Sequence, residues 1–142
     1  MRNFAEIYRI INTKVELKKL TMTNKKTLIL GASADSTRYA YLAAERLSFS
    51  GHSIINVGQK TGTVAGVPIE IPNLIHSDIH TITLYINPVK QQLLYDYIFK
   101  TNPKRIIFNP GTENEELRKL ANAQGIATEY ACTLVLLSLG QY

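Results

Sequence analysis

The sequence of 142 residues contains a single cysteine, Cys132, which therefore has no partner within the chain for a disulfide bond. Because disulfides persist in oxidising compartments, their absence favours a reducing one. Long apolar runs are also absent: the longest candidate, residues 134–139, is far shorter than the roughly 18 residues of a membrane-spanning helix. Residues 1–20 contain no continuous hydrophobic segment of the signal-peptide type. We therefore expect a cytoplasmic protein without membrane contact.

Positive charge is in excess only at the start of the sequence, although the formal net charge is +5 at pH 7. Seven of the sixteen basic residues lie within residues 1–26 together with two acidic ones, and the remaining nine basic and nine acidic residues cancel. Nucleic-acid-binding domains carry clustered basic surface, which a neutral body does not offer. We expect no nucleic-acid partner, whereas a homo-oligomer or a partner protein remains open.

Recognisable catalytic and metal-binding patterns are missing as well. The three histidines, His52, His76 and His80, have no spacing typical of a metal pair or a charge relay. Ser33 lacks the Gly-x-Ser-x-Gly surroundings of a hydrolase nucleophile, and no paired carboxylates stand out. The sequence thus predicts no catalytic residue and no metal site, and it favours a binding function over catalysis.

What the sequence does contain is a regular alternation of apolar strands and helical segments, in a chain long enough for one domain with a sizeable core. Asn87 and Pro88 are typical of a helix start, and Thr112 with Glu115 has capping-box spacing. Helical connections return the chain to a parallel strand, so we predict a single α/β domain with a doubly wound, mainly parallel sheet and helices on both faces. The predicted strands are 27–30, 53–57, 81–86, 105–108 and 126–130, and a loop over 58–66 is followed by 67–71 as a short edge strand or an extended piece. The predicted helices are 37–50, 88–101, 112–124 and one from about 132.

Residues 1–22 stand apart from this alternation. Their apolar side chains recur at three- and four-residue spacing, at Phe4, Ile7, Tyr8, Ile11 and Val15. This spacing predicts an amphipathic helix with a basic outer face, which can dock on the domain, mediate self-association or lie on an anionic surface. Met22 shortly precedes the first core strand, so an equally favoured interpretation is a mis-called start. We therefore separate an extension, residues 1–22, from a folded domain, residues 23–142.

The most informative segment follows the first strand, where an apolar run enters a turn of small residues and then a helix expected to begin near Ser36. Small side chains at Gly31, Ala32 and Ser33 allow a phosphate to approach the backbone closely. The helix start adds free N–H groups and the positive end of its dipole. Gly31 is the only glycine of the turn, so the three-glycine dinucleotide fingerprint is not met. The segment predicts either a phosphate-binding loop or an ordinary strand-to-helix turn.

Polar residues at the helix start extend the phosphate hypothesis. The hydroxyls of Ser36 and Thr37 and the charge of Arg38 suit a phosphate, with Asp35 as the only opposing group. Arg38 either pairs with phosphate through its planar guanidinium or neutralises Asp35, and we favour the first. The helix expected at Thr112 carries three acidic residues in its first turn and is therefore a poor place for an anion.

The end of the second strand discriminates between ligands. Dinucleotide sites of the usual kind place an acidic residue there to bind ribose hydroxyls, but residues 56–60 are Asn-Val-Gly-Gln-Lys. Asn56 and Lys60 instead suit a phosphorylated ribose, although a single loop lysine is more often only solvated. Ligands bind beyond the carboxyl ends of parallel strands, so we expect one crevice where loops 31–38, 56–60 and 87–88 meet. The turn at 109–111 belongs to the same edge of the sheet.

Several short motifs occur in order along the chain: Gly31-Ala32-Ser33, Asn56-Val57-Gly58, Val64-Ala65-Gly66-Val67-Pro68, Leu84-Tyr85-Ile86-Asn87-Pro88, Phe108-Asn109-Pro110-Gly111 and Ala131-Cys132-Thr133-Leu134-Val135. Together they resemble the small, single-domain coenzyme A-binding proteins, whose fold also forms the nucleotide-binding part of the succinyl-coenzyme A ligase alpha subunit. The resemblance spans about residue 25 to the last residue and implies a Rossmann-like fold.

The resemblance further implies that coenzyme A, or an acyl-coenzyme A, is the cofactor. Its pyrophosphate would lie near residues 31–38 and its adenosine near 56–60, with the Asn87-Pro88 loop on the other side. The sequence departs from the family in Val57-Gly58, where Asn-Pro is usual. The phosphohistidine domain of the larger relatives is also absent, so we do not expect succinyl-coenzyme A ligase activity from this chain alone.

Cys132 is the one candidate for chemistry, because a helix N-terminus can activate a thiol and the resemblance places its motif near the crevice. It forms a mixed disulfide with coenzyme A or, as we favour, packs as a small apolar residue.

Our prediction for the whole chain is non-catalytic binding of coenzyme A; the alternatives are an NAD(P)-binding redox protein and a ligase-like subunit that needs a partner chain. The predicted ligand-binding residues are Gly31, Ala32, Ser33, Ser36, Thr37, Arg38, Asn56, Val57, Gly58, Lys60, Asn87, Pro88 and Cys132.

Overall fold

The computed structural model describes residues 3–10, 12 and 24–142. Residues 4–10 are helical, which agrees with the predicted N-terminal helix, and Phe4 and Tyr8 on it are exposed. Ile11 and Val15 of that predicted helix lie outside the described residues, as does the proposed start at Met22. The division of the chain at residue 22 therefore stays a prediction.

Seven strands of the described chain form one sheet, in the order β3-β4-β2-β1-β5-β6-β7. They are β1 (Thr27–Leu30), β2 (Ile54–Val57), β3 (Thr63–Val64), β4 (Val67–Glu70), β5 (Thr81–Leu84), β6 (Arg105–Phe108) and β7 (Ala127–Tyr130). All neighbours pair in parallel except β3 and β4, which form an antiparallel hairpin. The parallel strands therefore have the doubly wound order: successive strands are added on one side of β1 as far as β4, and the chain then crosses back to add β5, β6 and β7 on the other side of β1.

Helices cover both faces of this sheet: α1 (Tyr39–Phe49), α2 (Pro88–Gln92), α3 (Tyr95–Thr101), α4 (Glu115–Ala123) and α5 (Thr133–Ser138). Strands β1, β2 and β5 are buried along their whole length, as apolar strands covered on both faces should be. Alternate side chains enter two separate cores. Leu28 packs in the same core as Ile98 of α3, whereas Ile29 packs in that of Leu47 of α1. The predicted single-domain, Rossmann-like α/β fold is confirmed.

The segment after β2 differs from its prediction. Residues 63 and 64 form β3 inside the predicted loop, and Ala65 and Gly66 then turn the chain into β4 with φ angles of 51° and 77°. Two consecutive residues with positive φ make the tight turn that hairpins favour. Strand β4 is therefore bonded on both sides, and the predicted edge position of residues 67–71 is wrong. The turn escaped prediction because alanine rarely adopts a positive φ.

The predicted helix 88–101 is interrupted. It forms α2 and α3, with Leu93 and Leu94 between them, and no glycine or proline marks the break. The start is as predicted, since the Asn87 side chain accepts a hydrogen bond from the Lys90 amide at 2.9 Å. The buried Gln91 amide donates to the main-chain oxygens of Ile86 and Thr112 and so anchors α2 to the neighbouring loops. Tertiary contacts, rather than local preference, determine where α2 lies.

The predicted capping box at Thr112 and Glu115 is wrong. Asn114 caps α4 instead, because its side chain accepts a hydrogen bond from the Leu117 amide at 3.2 Å. The Thr112 hydroxyl donates to the main-chain oxygen of Asn109 at 2.7 Å and so stabilises the preceding turn. The helix consequently begins three residues later than Thr112.

Candidate functional site

A cleft of about 510 Å³ opens beyond the carboxyl ends of β1, β2 and β5, where the chain reverses direction across the sheet. This is the position at which doubly wound sheets bind ligands. The predicted binding residues that line it are Gly31, Ala32, Ser33, Arg38, Val57, Gly58 and Lys60. The other lining residues are Leu30, Tyr39, Ala40, Gln59, Pro72, Tyr85, Ile86, Lys90, Leu93 and Leu94.

Two glycines hold the walls of the cleft together. Gly31 has a φ of 101°, and a Cβ on it would lie 2.7 Å from the main-chain oxygen of Tyr85. A Cβ on Gly58 would collide with the main-chain oxygen of Ala32. The loop after β1 therefore packs backbone to backbone against the loops after β5 and β2, which requires residues without a side chain. Sequence reasoning selected Gly31 for close approach of a phosphate and Gly58 as part of the motif at the adenosine end, and it did not predict this structural role.

The first two amides of the β1–α1 loop are engaged by the protein itself. Gly31 and Ala32 both donate hydrogen bonds to the main-chain oxygen of Val57, each at 2.9 Å. Within the described chain, the loop amides that donate to no protein acceptor are those of Ser33, Ala34, Ser36, Tyr39 and Ala40. The donors open to a ligand therefore begin two residues later than the sequence indicated.

Helix α1 begins at Tyr39 rather than near Ser36, and Arg38 is its N-cap residue without a side-chain capping bond. Ser36 and Thr37 consequently lie in the preceding turn and do not line the cleft. The first turn of α1 contains no acidic residue. Tyr39 and Ala40 line the cleft with free amides at the positive end of the helix dipole, an arrangement that favours an anion.

Of the two interactions that the sequence allowed for Arg38, the structure shows the one with Asp35. Its Nε lies 3.8 Å from Oδ2 of Asp35, and both side chains are more than half exposed. Such an exposed pair contributes little to stability, so the guanidinium remains available to another anion. Hydrogen bonds from the hydroxyl and amide of Thr37 hold the pKa of Asp35 below its usual range, with a smaller contribution from Arg38 and Lys60.

The lining of the cleft is cationic. Arg38, Lys60 and Lys90 line it, and among the described residues no aspartate or glutamate does. Lys90 was not predicted, although it is the residue whose amide the Asn87 side chain caps and so belongs to a motif that the sequence did identify. Since charges from residue 27 onward cancel, the cleft concentrates positive charge in an otherwise neutral body.

Part of the cleft lining is apolar and forms an apolar wall. Leu93 and Tyr39 line the cleft and remain 84% and 71% exposed, so both side chains are open to a ligand. Tyr85 lies deeper, and burial raises the pKa of its phenol to about 12. The phenol is therefore neutral at physiological pH. Sequence reasoning selected neither Leu93 nor Tyr39.

A family model described as a CoA binding domain matches residues 25–138. The chain belongs to this CoA binding domain family. No curated protein matches the chain. Among solved structures, the crystal structure of a protein described as uncharacterized is 52% identical with a TM-score of 0.83, and the match covers 84% of this chain and 99% of that one.

More distant structures share the fold of this CoA binding domain. A hypothetical protein from Pyrococcus horikoshii OT3 is 24% identical with a TM-score of 0.71, over 84% of this chain and 86% of that one. Prb, a protein redesigned for binding, is 20% identical with a TM-score of 0.74, over 89% of both chains. At these identities the similarity shows the fold alone.

Several predicted binding residues of this CoA binding domain lie outside the cleft lining. Asn56 is fully buried, and its amide donates to the main-chain oxygens of Val64 and Val67 at 3.1 and 3.0 Å, which stabilises the β3–β4 hairpin. Asn87 caps α2, with Pro88 after it, and Cys132 is a half-buried N-cap residue of α5. Contact of these residues with a ligand stays a prediction.

The loop at residues 109–111 contributes scaffolding. The buried Asn109 amide donates to Thr83 Oγ1 at 2.7 Å and to the main-chain oxygen of Leu84 at 2.9 Å, and its Oδ1 accepts from the Thr133 amide at 2.9 Å. Asn109 thus ties the ends of β5 and β6 to the start of α5. The Gly111 amide donates to the Glu113 carboxylate at 2.9 Å, so the protein's own acid occupies the position that an anion would take.

None of the three histidines lines the cleft. His52 Nδ1 accepts from the Lys25 amide at 3.0 Å, His76 Nε2 lies 2.8 Å from Glu70, and His80 Nδ1 lies 2.8 Å from Thr81 Oγ1.

Over residues 3–10, 12 and 24–142, no three His, Cys, Asp or Glu side chains come together as metal ligands. Across the same ranges, every helix is too short or too polar to cross a membrane.

Proposed function

We propose that this chain binds coenzyme A or an acyl-coenzyme A in the cleft beyond β1, β2 and β5, without catalysing a reaction. The observation that carries the proposal is the lining of that cleft, which combines three cations and free amides with no described carboxylate. Coenzyme A bears a pyrophosphate and a ribose phosphate, so it matches such a lining. Membership in the CoA binding domain family supports this ligand over other polyanions.

In this proposal the pyrophosphate lies at the start of α1. The free amides of Ser33, Tyr39 and Ala40 supply donors, and the exposed guanidinium of Arg38 supplies charge. Backbone amides and a helix N-terminus together bind phosphate without any reactive side chain. The proposed phosphate site thus lies in the loop predicted from the sequence, but its donors are closer to α1 than the sequence indicated.

The adenosine end lies at the loop after β2, where Lys60 lines the cleft. An acidic residue that would accept the hydroxyls of an unphosphorylated ribose is absent from residues 56–60. Lys60 therefore pairs with the ribose phosphate. Asn56 contributes indirectly, because its buried amide holds the adjoining hairpin in place.

The remaining part of the ligand packs along the apolar wall. Leu93, Tyr39 and Ile86 line this side of the cleft, and covering Leu93 and Tyr39 removes exposed apolar surface from water. The absence of catalysis in the proposal rests on two observations. No histidine lines the cleft, and the Tyr85 phenol, with a pKa of about 12, is a poor proton donor or acceptor at neutral pH.

Calorimetric titration with coenzyme A, dephospho-coenzyme A, NAD and NADP tests the proposal. We expect coenzyme A to bind most tightly, with about tenfold weaker binding of the dephospho form. Lys60→Met should weaken coenzyme A to the level of the dephospho form and leave the dephospho form unchanged. Lys104→Met, an exposed lysine outside this cleft, is the matched control and should bind as the unmodified chain does.

Two results would contradict the proposal. A failure of coenzyme A to bind would remove it altogether. Tighter binding of NAD or NADP than of coenzyme A would favour the alternative, a redox protein on the same fold. Retention of full coenzyme A affinity by Lys60→Met would overturn only the placement of the ribose phosphate.

A further inference from the structure

The Asp35 carboxylate is held beside the cleft by hydrogen bonds from Thr37. Its Oδ1 accepts from the amide of Thr37 at 2.9 Å and from the Thr37 hydroxyl at 2.7 Å. Its main-chain oxygen accepts from the Arg38 amide at 3.0 Å. These hydrogen bonds hold the side chain over the turn that precedes α1, where about half of it remains exposed to solvent.

One cation pairs with this carboxylate: Arg38, at the N-terminus of α1, places Nε 3.8 Å from Oδ2. Hydrogen bonds from Thr37 are the largest cause of the lowered pKa of Asp35, and the charges of Arg38 and Lys60 contribute less. Asp35 is consequently ionised at neutral pH. It pairs with one of the three cations that line the cleft, although it does not line the cleft itself.

We propose that Asp35 is a specificity-determining residue whose carboxylate acts as an internal competitor of the ligand's phosphate. The inference rests on the proposed binding of coenzyme A in this cleft. In the ligand-free protein the carboxylate pairs with the Arg38 guanidinium, and a bound phosphate replaces Asp35 as the partner of that guanidinium. A pyrophosphate carries enough charge to do so, whereas a carboxylate or another monoanion merely matches Asp35. The competitor therefore selects polyanionic phosphates.

Asp35→Asn is the variant that isolates this charge, because asparagine keeps an oxygen that accepts from Thr37. We expect it to bind coenzyme A about five- to tenfold more tightly than the unmodified chain, since a like charge near the phosphate is removed. ADP, used as a ligand that retains the pyrophosphate, should gain the same factor. Adenosine, which has no phosphate, should show no gain.

Asp96→Asn is the matched control. Asp96 pairs with Lys100 at 2.8 Å on α3, is exposed and does not line the cleft, so its substitution changes net charge by the same amount. Coenzyme A affinity should remain unchanged in this variant. Asp35→Ser provides a second neutral side chain with capping ability and should show the same direction of change as Asp35→Asn.

The outcomes separate the two proposals. If the unmodified chain binds coenzyme A and both Asp35 variants bind it no more tightly than the unmodified chain does, the competition between Asp35 and the ligand is refuted and the proposed binding function stands. An equal gain for ADP and adenosine would also overturn it, because the effect would then be independent of phosphate. If neither the unmodified chain nor any variant binds coenzyme A or ADP, the proposed function fails and this inference fails with it.

Discussion

The main-chain oxygen of Tyr85 lies against Gly31 so closely that a Cβ on Gly31 would come within 2.7 Å of it. This contact joins the loop after β1 to the loop after β5, the two loops between which the chain reverses direction across the sheet. The floor of the cleft is therefore formed by backbone. Its shape depends on the absence of one side chain.

Gly31→Ala should destabilise the protein by about 3 kcal/mol, because a positive φ and a backbone collision add together. Gly125→Ala is the control, since Gly125 also has a positive φ of 80° but would meet nothing within 4 Å. It should cost only about 1 kcal/mol. Urea denaturation measures both free energies of unfolding. Equal losses would show that the contact with Tyr85 is unimportant.

Arg38→Ala and Lys90→Ala should each weaken coenzyme A binding by about five- to tenfold, because each removes a cation from the cleft. Lys100→Ala is the control, because Lys100 on α3 pairs with Asp96 and does not line the cleft. It should leave the affinity for coenzyme A unchanged. Calorimetric titration at low and high salt gives the affinities. The effects of Arg38→Ala and Lys90→Ala should become smaller as the salt concentration rises, because salt screens the interactions of exposed charges. An effect independent of salt would point to a packing role instead.

Asn109→Ala should destabilise the protein by about 2–4 kcal/mol, since it leaves the Thr133 amide and the Leu84 oxygen buried without this partner. Asn122→Ala removes an exposed asparagine that accepts one hydrogen bond from Thr128. This control should cost less than about 0.5 kcal/mol. Thermal or urea unfolding distinguishes the two, and similar small losses in both variants would refute a scaffold role for Asn109.

The free energy of unfolding should fall as the pH drops below about 6.5, the ordinary pKa of histidine. Burial lowers the pKa of His52, with further contributions from Lys25 and Arg105, so the folded state binds its proton less readily than the unfolded state. Stability is complete above the unfolded pKa and is lost as the pH falls toward the lowered one. Protonation also removes Nδ1 as the acceptor for the Lys25 amide.

His52→Gln retains an acceptor but does not titrate, so it should reduce this loss of stability. Burial also lowers the pKa of His80, and the double variant with His80→Gln should reduce the loss further. Urea denaturation at a series of pH values from about 7 to about 5 provides the comparison. An unchanged pH dependence in both variants would contradict the assignment to these histidines.

Cys132 lies outside the cleft lining, so Cys132→Ser should bind coenzyme A with unchanged affinity. Incubation with oxidised coenzyme A should leave the intact mass of the unmodified chain unchanged. Addition of the mass of one coenzyme A would instead place the thiol within reach of the ligand and would support the mixed disulfide.

Much of the cleft was predictable because its residues carry local signals. The small residues after β1 and the lack of an acidic residue in 56–60 both follow from single stretches of chain. The helix start at Asn87 was found for the same reason, since capping depends on residues only three positions apart. The β3–β4 hairpin was missed because Ala65 adopts a positive φ that the type of residue does not indicate.

By itself the sequence determined the α/β alternation, the parallel sheet and the position of the small-residue turn after β1, since periodicity and turn chemistry act over a few neighbouring residues. Only the tertiary structure decided which donors remain open. Val57, from a different strand, engages the amides of Gly31 and Ala32, and Leu93 lines the same cleft as Tyr39 of α1. Both depend on which segments meet in space, because hydrogen bonds and packing are satisfied across the whole fold.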